Sequence, residues 1–275
     1  MPELPEVESF RRFLIKGNNG LPSILGKVIQ NGEVLWDGVL VVPPVDEFLR
    51  RVIGQTVRDV GRRGKHLLLH LSQDTLIIHP RMSGEVFLES QKEEVGQHYR
   101  LILNFHDGSR FVFNNVRKFG RVWFTSNPED ILSDLGPEPL SDEFTPERFY
   151  DILQSCHRQM KYLLLDQTAI AGLGNIYTDE VLYRAHIHPR TKSDSLTFSE
   201  AKNLWEGIRD VLETGIENQG TSIDWVYKGG DYQKLLQVYK RDGDPCQRCG
   251  TPIQRTTIAQ RSTHYCPLCQ PAPSE

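Results

Sequence analysis

The sequence predicts a multi-domain α+β protein with an N-terminal β-sandwich and flanking helix, a helical middle and a C-terminal zinc finger. Three observations carry that expectation. Short apolar runs broken by turn residues fill the stretch from Lys65 to Ser126. Helix-period segments fill residues 141–225. Four cysteines, in two Cys-x2-Cys pairs, close the chain.

Each element can be justified in order. In the opening "MPELPEVESF", Pro5 suits a first helical turn, and Glu6 and Glu8 complement the positive end of the helix dipole. Val7, Phe10 and Leu14 recur at helical spacing and give the helix a face to bury. None of this explains Pro2, which precedes the helix; chemistry on a terminal amine is the alternative reading. The runs 65–72, 75–80, 85–89, 99–115 and 121–126 read as strands, with Asp107-Gly108 as a two-residue hairpin signal. Several short strands at this spacing suggest a sandwich. "LGPEPL" (135–140) reads as a linker.

Beyond the linker, "SDEFTPERFYDILQSC" begins with a plausible cap, and "FSEAKNLWEGIRDVLETGIENQG" ends on Gly220. Residues 221–237 lack a period and read as a mobile loop. Domain boundaries are expected at 1–135, 136–237 and 238–275. In "AGLGNIYTDEVL" two glycines precede a helix start; Tyr177 stands where a dinucleotide fingerprint needs its third glycine. A helix–turn–helix fits better, with Asn175 capping a helix from Ile176 and a helix N-terminus that suits an anion. An ordinary turn between packed helices is the competing reading.

The 275 residues leave room for one large domain or two. No run of about 18 apolar residues is present, and the N-terminus lacks a signal pattern, so a cytoplasmic protein without a membrane partner is expected. The net charge of −4 gives no global argument for nucleic acid. Locally the balance reverses. Between Val238 and Cys269, five cations (Lys240, Arg241, Arg248, Arg255, Arg261) face two carboxylates (Asp242, Asp244). That segment also holds Cys246, Cys249, Cys266 and Cys269, whose spacing suits one structural Zn²⁺ with all four positions filled. Cys156 lies in a helical pattern outside the cluster and reads as a packed residue.

Taken together, "MPELPEVE", "RRGKHLLLHL", "RMSG", "VRKFG", "LLLDQTAIAGLGNIYTDEVL" and "VYKRDGDPCQRCGTPIQRTTIAQRSTHYCPLCQ" occur in an order that resembles the formamidopyrimidine-DNA glycosylase family, which includes the endonuclease VIII type. The resemblance spans nearly the whole chain. It implies a β-sandwich, a helix–two-turns–helix domain and a zinc finger. It also implies a base-excision-repair enzyme that removes oxidised bases from damaged double-stranded DNA and cuts the strand by β,δ-elimination, acting as a monomer at the nucleoid.

By the same resemblance Pro2, freed of Met1, would attack C1′ and form a Schiff base, with Glu3 as acid/base partner and Glu6 in support. An α-amino nitrogen titrates near ~7.7–8.0, so an unprotonated fraction exists at neutral pH. Lys65, Asn175 and Arg261 would hold the DNA backbone, with Lys65 also assisting catalysis. Met82, Arg117 and Phe119 would fill the gap left by the extruded nucleotide. Read alone, Met82 and Phe119 suit a core and Lys65 an exposed strand end.

Two departures stand out. Asn115 replaces the family's usual Asp, so a hydrogen-bonding role survives there and a charged one does not. Pro80 replaces a common Leu in the loop carrying Met82. The segment 14–27 looks longer than usual, and the base-selecting loop at 219–236 is too variable for assignments. Leu4 favours the type that removes 8-oxoguanine and ring-opened purines over the endonuclease VIII type. The remaining alternatives are a non-catalytic zinc protein on the same scaffold and another enzyme with an N-terminal proline.

Overall fold

The computed structural model describes residues 1–17, 20–222 and 229–273. It divides into two compact units, Met1–Ser133 with Gln219–Gly230, and Asp134–Asn218 with Asp231–Glu275.

The first unit opens with α1 (Leu4–Lys16), which buries Val7, Phe10 and Leu14 as the spacing predicts. Then follow β1 (Ile29–Val34), β2 (Leu40–Val42), α2 (Val45–Val52), β3 (Val57–Arg63), β4 (His66–Leu71), β5 (Thr75–His79), β6 (Gly84–Ser90), β7 (Tyr99–Phe105), β8 (Ser109–Asn115), β9 (Arg121–Thr125) and the short α3 (Glu129–Leu132). They form a four-stranded sheet, β1-β7-β8-β6, and a five-stranded sheet, β2-β9-β5-β4-β3. A single apolar core joins α1 to both, from Phe10 and Leu14 to Leu69, Leu103, Phe113 and Phe124. Interior strands such as β5 are buried throughout and read as unbroken apolar runs; β9 alternates.

The structure adds β1, β2, α2 and β3, which the sequence reading did not identify. β1, β2 and β3 lie at sheet edges, and β1 and β3 carry mostly polar residues. The β7–β8 connection also differs from expectation. It spans three residues, His106–Gly108, because Gly108 takes a left-handed conformation (φ 82°) after the turn.

Connectivity brings two loops together. Residues 80–83 lead from β5 in one sheet to β6 in the other, and residues 116–120 lead from β8 back to β9. β5 pairs with β9 through His79 and Arg121, and β6 pairs with β8 through Gly84 and Asn115. The two crossings are therefore neighbours, bracketed by paired residues on both sides.

The second unit contains α4 (Pro146–Gln154), α5 (Met160–Leu165), α6 (Asn175–Arg184), α7 (Phe198–Glu217) and the hairpin β10 (Gln254–Ile258)–β11 (Arg261–Tyr265). Thr145 caps α4, and Thr197 with Glu200 forms a capping box on α7. Gly174, not Asn175, is the N-cap of α6; Asn175 is its first residue. Cys156 lies beyond the end of α4 and is half-buried, with its sulfur 3.7 Å from Ser193 Oγ. The loop expected at 221–237 includes residues 223–228, which lie outside the described residues; a 3₁₀ turn occupies Tyr232–Leu235. Among the described residues no helix is long and apolar enough to cross a membrane.

Candidate functional site

The chain start is built around carboxylates. Pro2 is buried and precedes α1, whose N-cap is Glu3 in extended conformation. Glu3 and Glu6 are both nearly inaccessible. Glu6 Oε2 accepts the backbone N–H of Glu3 at 2.8 Å, and Oε1 accepts the N–H of Thr221 at 2.7 Å. One side chain thus fixes the residue after Pro2 and the first residues beyond the α7 turn. Gly220 makes the second contact possible. Its φ is 77°, and a β-carbon there would lie 2.5 Å from Glu6 Oε1.

Lys65 occupies the second position of the two-residue turn Gly64-Lys65 between β3 and β4, and is 5% exposed. The expectation of an exposed strand end does not hold. Two contacts dock this hairpin on α1. Arg62 Nε donates to Glu8 Oε2 at 3.2 Å, and Arg11 Nε donates to the Val60 carbonyl at 2.8 Å. Sequence reasoning missed the Glu8–Arg62 pair; the arginine doublet before Gly64 was the available signal.

Beside Lys65, His66 packs edge-on against His79 with ring centroids 4.6 Å apart, and His66 Nδ1 is enclosed without a partner. Burial, reinforced by Arg81 and Lys65, lowers the His66 pKa to about 4 and holds His79 well below its usual range. Both rings are therefore neutral at neutral pH. His79 Nδ1 accepts the Arg81 N–H at 3.0 Å and shapes the loop that carries Met82.

Met82 and Phe119 are 38% and 47% exposed, so neither belongs to the core. Arg117 lies 5.2 Å from the Phe119 ring centre. Lys118 and Arg121 approach the Trp36 ring at 5.7 and 5.9 Å, so this indole backs the loop. Asn115, at the root of the loop, is fully buried and acts as a neutral hydrogen-bonding group: its Oδ1 accepts the Gly120 N–H at 3.1 Å.

In the second unit α6 is buried along most of its length and is held by charge. Lys161 Nζ and Asp179 Oδ1 form a fully buried ion pair at 2.6 Å. Asp179 Oδ2 also accepts the backbone N–H of His264 at 2.9 Å. Glu180 accepts the N–H groups of Gln237, Val238 and Tyr239 at 2.8–2.9 Å. The Asp179-Glu180 pair inside an apolar helix was the signal that sequence reasoning passed over. At the start of α6, after Gly172 at φ 99°, Asn175 Nδ2 donates to the Ser262 carbonyl at 2.9 Å. Asn175 and the hairpin that bears Arg261 are thereby one construction.

The four cysteine sulfurs Cys246, Cys249, Cys266 and Cys269 lie within 4.8 Å of one another. Cys246 and Cys269 are 3.9 Å apart, and Cys249 and Cys266 3.4 Å. A zinc tetrathiolate with bonds of about 2.3 Å needs sulfur separations of about 3.8 Å, so the set fits one Zn²⁺ with no open position. The centre packs on α6: Tyr183 Oη lies 3.2 Å from Cys246 Sγ, and Arg248 stacks 4.2 Å from the Tyr183 ring centre. Arg248 and Arg241 are engaged inside this unit, so the local cation surplus is smaller at the surface than in the sequence. Arg261 is exposed at the start of β11, directly after the left-handed Ala259 and Gln260.

Comparison with known proteins matches these parts in the same order. The formamidopyrimidine-DNA glycosylase N-terminal domain covers residues 1–122, its H2TH domain residues 135–226, and the zinc finger found in FPG and IleRS residues 243–272. A formamidopyrimidine-DNA glycosylase from Enterococcus faecalis is 42% identical, covering 98% of this chain and 97% of the relative. The chain belongs to the formamidopyrimidine-DNA glycosylase family. Family membership makes it a base-excision-repair glycosylase with lyase activity, and the zinc centre is the family's zinc finger. Among solved structures, Lactococcus lactis Fpg bound to Fapy-dG-containing DNA superposes with a TM-score of 0.89 at 35% identity, covering 98% of this chain and all of that one. The same protein non-covalently bound to abasic-site DNA gives 0.90 at 34% identity, with the same coverage.

Proposed function

We propose that the protein excises oxidised purines, 8-oxoguanine and formamidopyrimidines, from duplex DNA and then cuts the strand by β,δ-elimination. The observation that carries this reading is the chain start: a proline followed by an inaccessible Glu3 whose N–H is fixed by Glu6. After Met1 is removed, the Pro2 nitrogen lone pair forms a bond to C1′, and the glycosidic bond breaks with its electron pair leaving on the base. Glu3 transfers protons as the sugar ring opens to the iminium ion. The iminium ion then acidifies C2′ for elimination of the phosphates. Lys65, on the hairpin docked to α1 through Glu8 and Arg62, supplies a cation for the phosphate beside the lesion.

Met82, Arg117 and Phe119 fill the space the nucleotide leaves. Their exposure on adjoining loops of one unit supports that role. Asn175 has a second amide hydrogen beyond the one given to Ser262, and Arg261 stands at the hairpin turn; both suit phosphate oxygens. The enzyme acts as a monomer on damaged double-stranded DNA in the cytoplasm, with domain boundaries at 135/136 and 237/238.

Borohydride reduction of the enzyme on a duplex containing 8-oxoguanine tests this. A covalent complex is expected, absent after Pro2→Gly and absent from any fraction that mass spectrometry shows retaining Met1. Cleavage at full rate by chains with Met1 attached would overturn the Schiff-base mechanism. A higher yield with oxidised pyrimidines would move the substrate to the endonuclease VIII class.

A further inference from the structure

We propose that Asn115 is a positioning residue that locks the Met82 loop and the Arg117–Phe119 loop into one gap-filling unit. This rests on the glycosylase reading above. The side chain is fully buried where the two sheet crossings meet. Its Oδ1 accepts the N–H of Gly120, at the far end of the loop that holds Arg117 and Phe119, at 3.1 Å. Its Nδ2 donates to the Pro80 carbonyl, at the start of the loop that holds Met82, at 3.3 Å, and lies 3.5 Å from Ser83 Oγ. Ser83 Oγ in turn accepts the Arg117 N–H at 3.1 Å. The Asn115 backbone is held as well: its carbonyl accepts from Arg100 Nε at 2.9 Å, and its N–H donates to the His98 carbonyl at 2.8 Å.

The two ends of this amide face opposite partners, an N–H on one side and a carbonyl on the other. Asn is the small side chain that offers an acceptor and a donor in one plane without ionising. Pro80 has no N–H of its own, and its carbonyl already accepts the Gly84 N–H at 3.0 Å, so it is the fixed point from which Asn115 reaches the other loop. Met82, Arg117 and Phe119 are exposed and gain little from core packing; their geometry is set by these few bonds at the roots of their loops.

Asn115→Ala, which removes the side-chain bonds to both loops, tests the lock. A duplex carries 8-oxoguanine and a 2-aminopurine beside the base opposite it, so fluorescence reports gap filling while single-turnover kinetics report excision. A second duplex carries a preformed abasic site. Asn115→Ala is expected to slow the fluorescence step and excision about tenfold, as befits lost buried hydrogen bonds, and abasic-site cleavage by less than about threefold. Equal slowing on both duplexes would show a general structural role, and no slowing would show that the amide is not needed; either overturns the proposal. Should Asn115→Ala not fold, Ser83→Ala, which removes the hydroxyl that accepts the Arg117 N–H and lies beside Asn115 Nδ2, is expected to show the same split at about threefold. Equal rates on both duplexes or equal losses overturn the proposal there too. Wild-type enzyme that forms no borohydride-trapped complex on the first duplex would refute the glycosylase reading instead.

Discussion

α1 and α6 each bury two carboxylates, but they differ in how far the cationic partner is itself buried. In α1, Glu6 sits at the third helical position, where the dipole favours a negative charge, and its partners are backbone N–H groups of residues 3 and 221. In α6, Asp179 and Glu180 lie beyond the first turn, where the dipole helps little. Asp179 needs a buried Lys161 as well as His264, and Glu180 takes three consecutive N–H groups. Glu6 in α1 holds the chain start, where the chemistry proposed above would take place. Those of α6 fasten the zinc-bearing segment to a scaffold. Only the second arrangement includes a fully buried cation, and that makes it the more fragile to single substitution.

The largest expected effect follows from that cation. Asp179→Ala strands Lys161 in a closed site and should cost about 3–5 kcal/mol of stability, whereas Asp179→Leu with Lys161→Met should recover much of it. Thermal unfolding checks both. A double variant no more stable than the single would show that the His264 contacts, not the ion pair, hold α6.

Acid should weaken the first unit next. His66 has a folded-state pKa of about 4, below its ordinary 6.5. The unfolded chain therefore binds the extra proton first. The neutral ring's contribution is complete above pH 6.5 and is lost as the pH falls toward 4, by about 3 kcal/mol in all. His66→Phe should flatten that part of the stability profile. An unchanged profile would assign the acid loss to other groups.

The smallest effect probes α1. Glu6→Gln keeps one acceptor but turns an NH₂ toward either the Glu3 or the Thr221 N–H, at a cost of about 1–3 kcal/mol. Borohydride trapping should fall along with stability, because the displaced backbone adjoins Pro2. Trapping at the wild-type level would separate the Glu6 contacts from the chemistry of the chain start.

Much of this was legible from residue pattern. The Val7–Phe10–Leu14 face and the two Cys-x2-Cys pairs are local signals, complete within a few residues of chain. β1 and β3 were not legible because edge strands have one ladder side in solvent, and so keep polar residues such as Gln30, Asn31 and Arg58 in place of an apolar alternation. Among the site residues, Lys65 was misplaced in environment and Asn175 in its position on the helix. Both errors arise because exposure and the start of a helix depend on what packs nearby, not on the residue itself.

Sequence alone determined which segments become helix or strand over most of the chain, the four metal-binding thiols, and the family with the activity it carries. Tertiary structure alone decided which polar and charged groups meet: Glu6 with the Thr221 N–H, Glu8 with Arg62, and Lys161 with Asp179. It also decided that Asn115 bonds to both the loop of Met82 and the loop of Arg117 and Phe119. The reason is that β5 pairs with β9 and β6 with β8, strands far apart in the chain. Hydrogen bonds and ion pairs across such distances are set by which surfaces pack, and no local spacing encodes them.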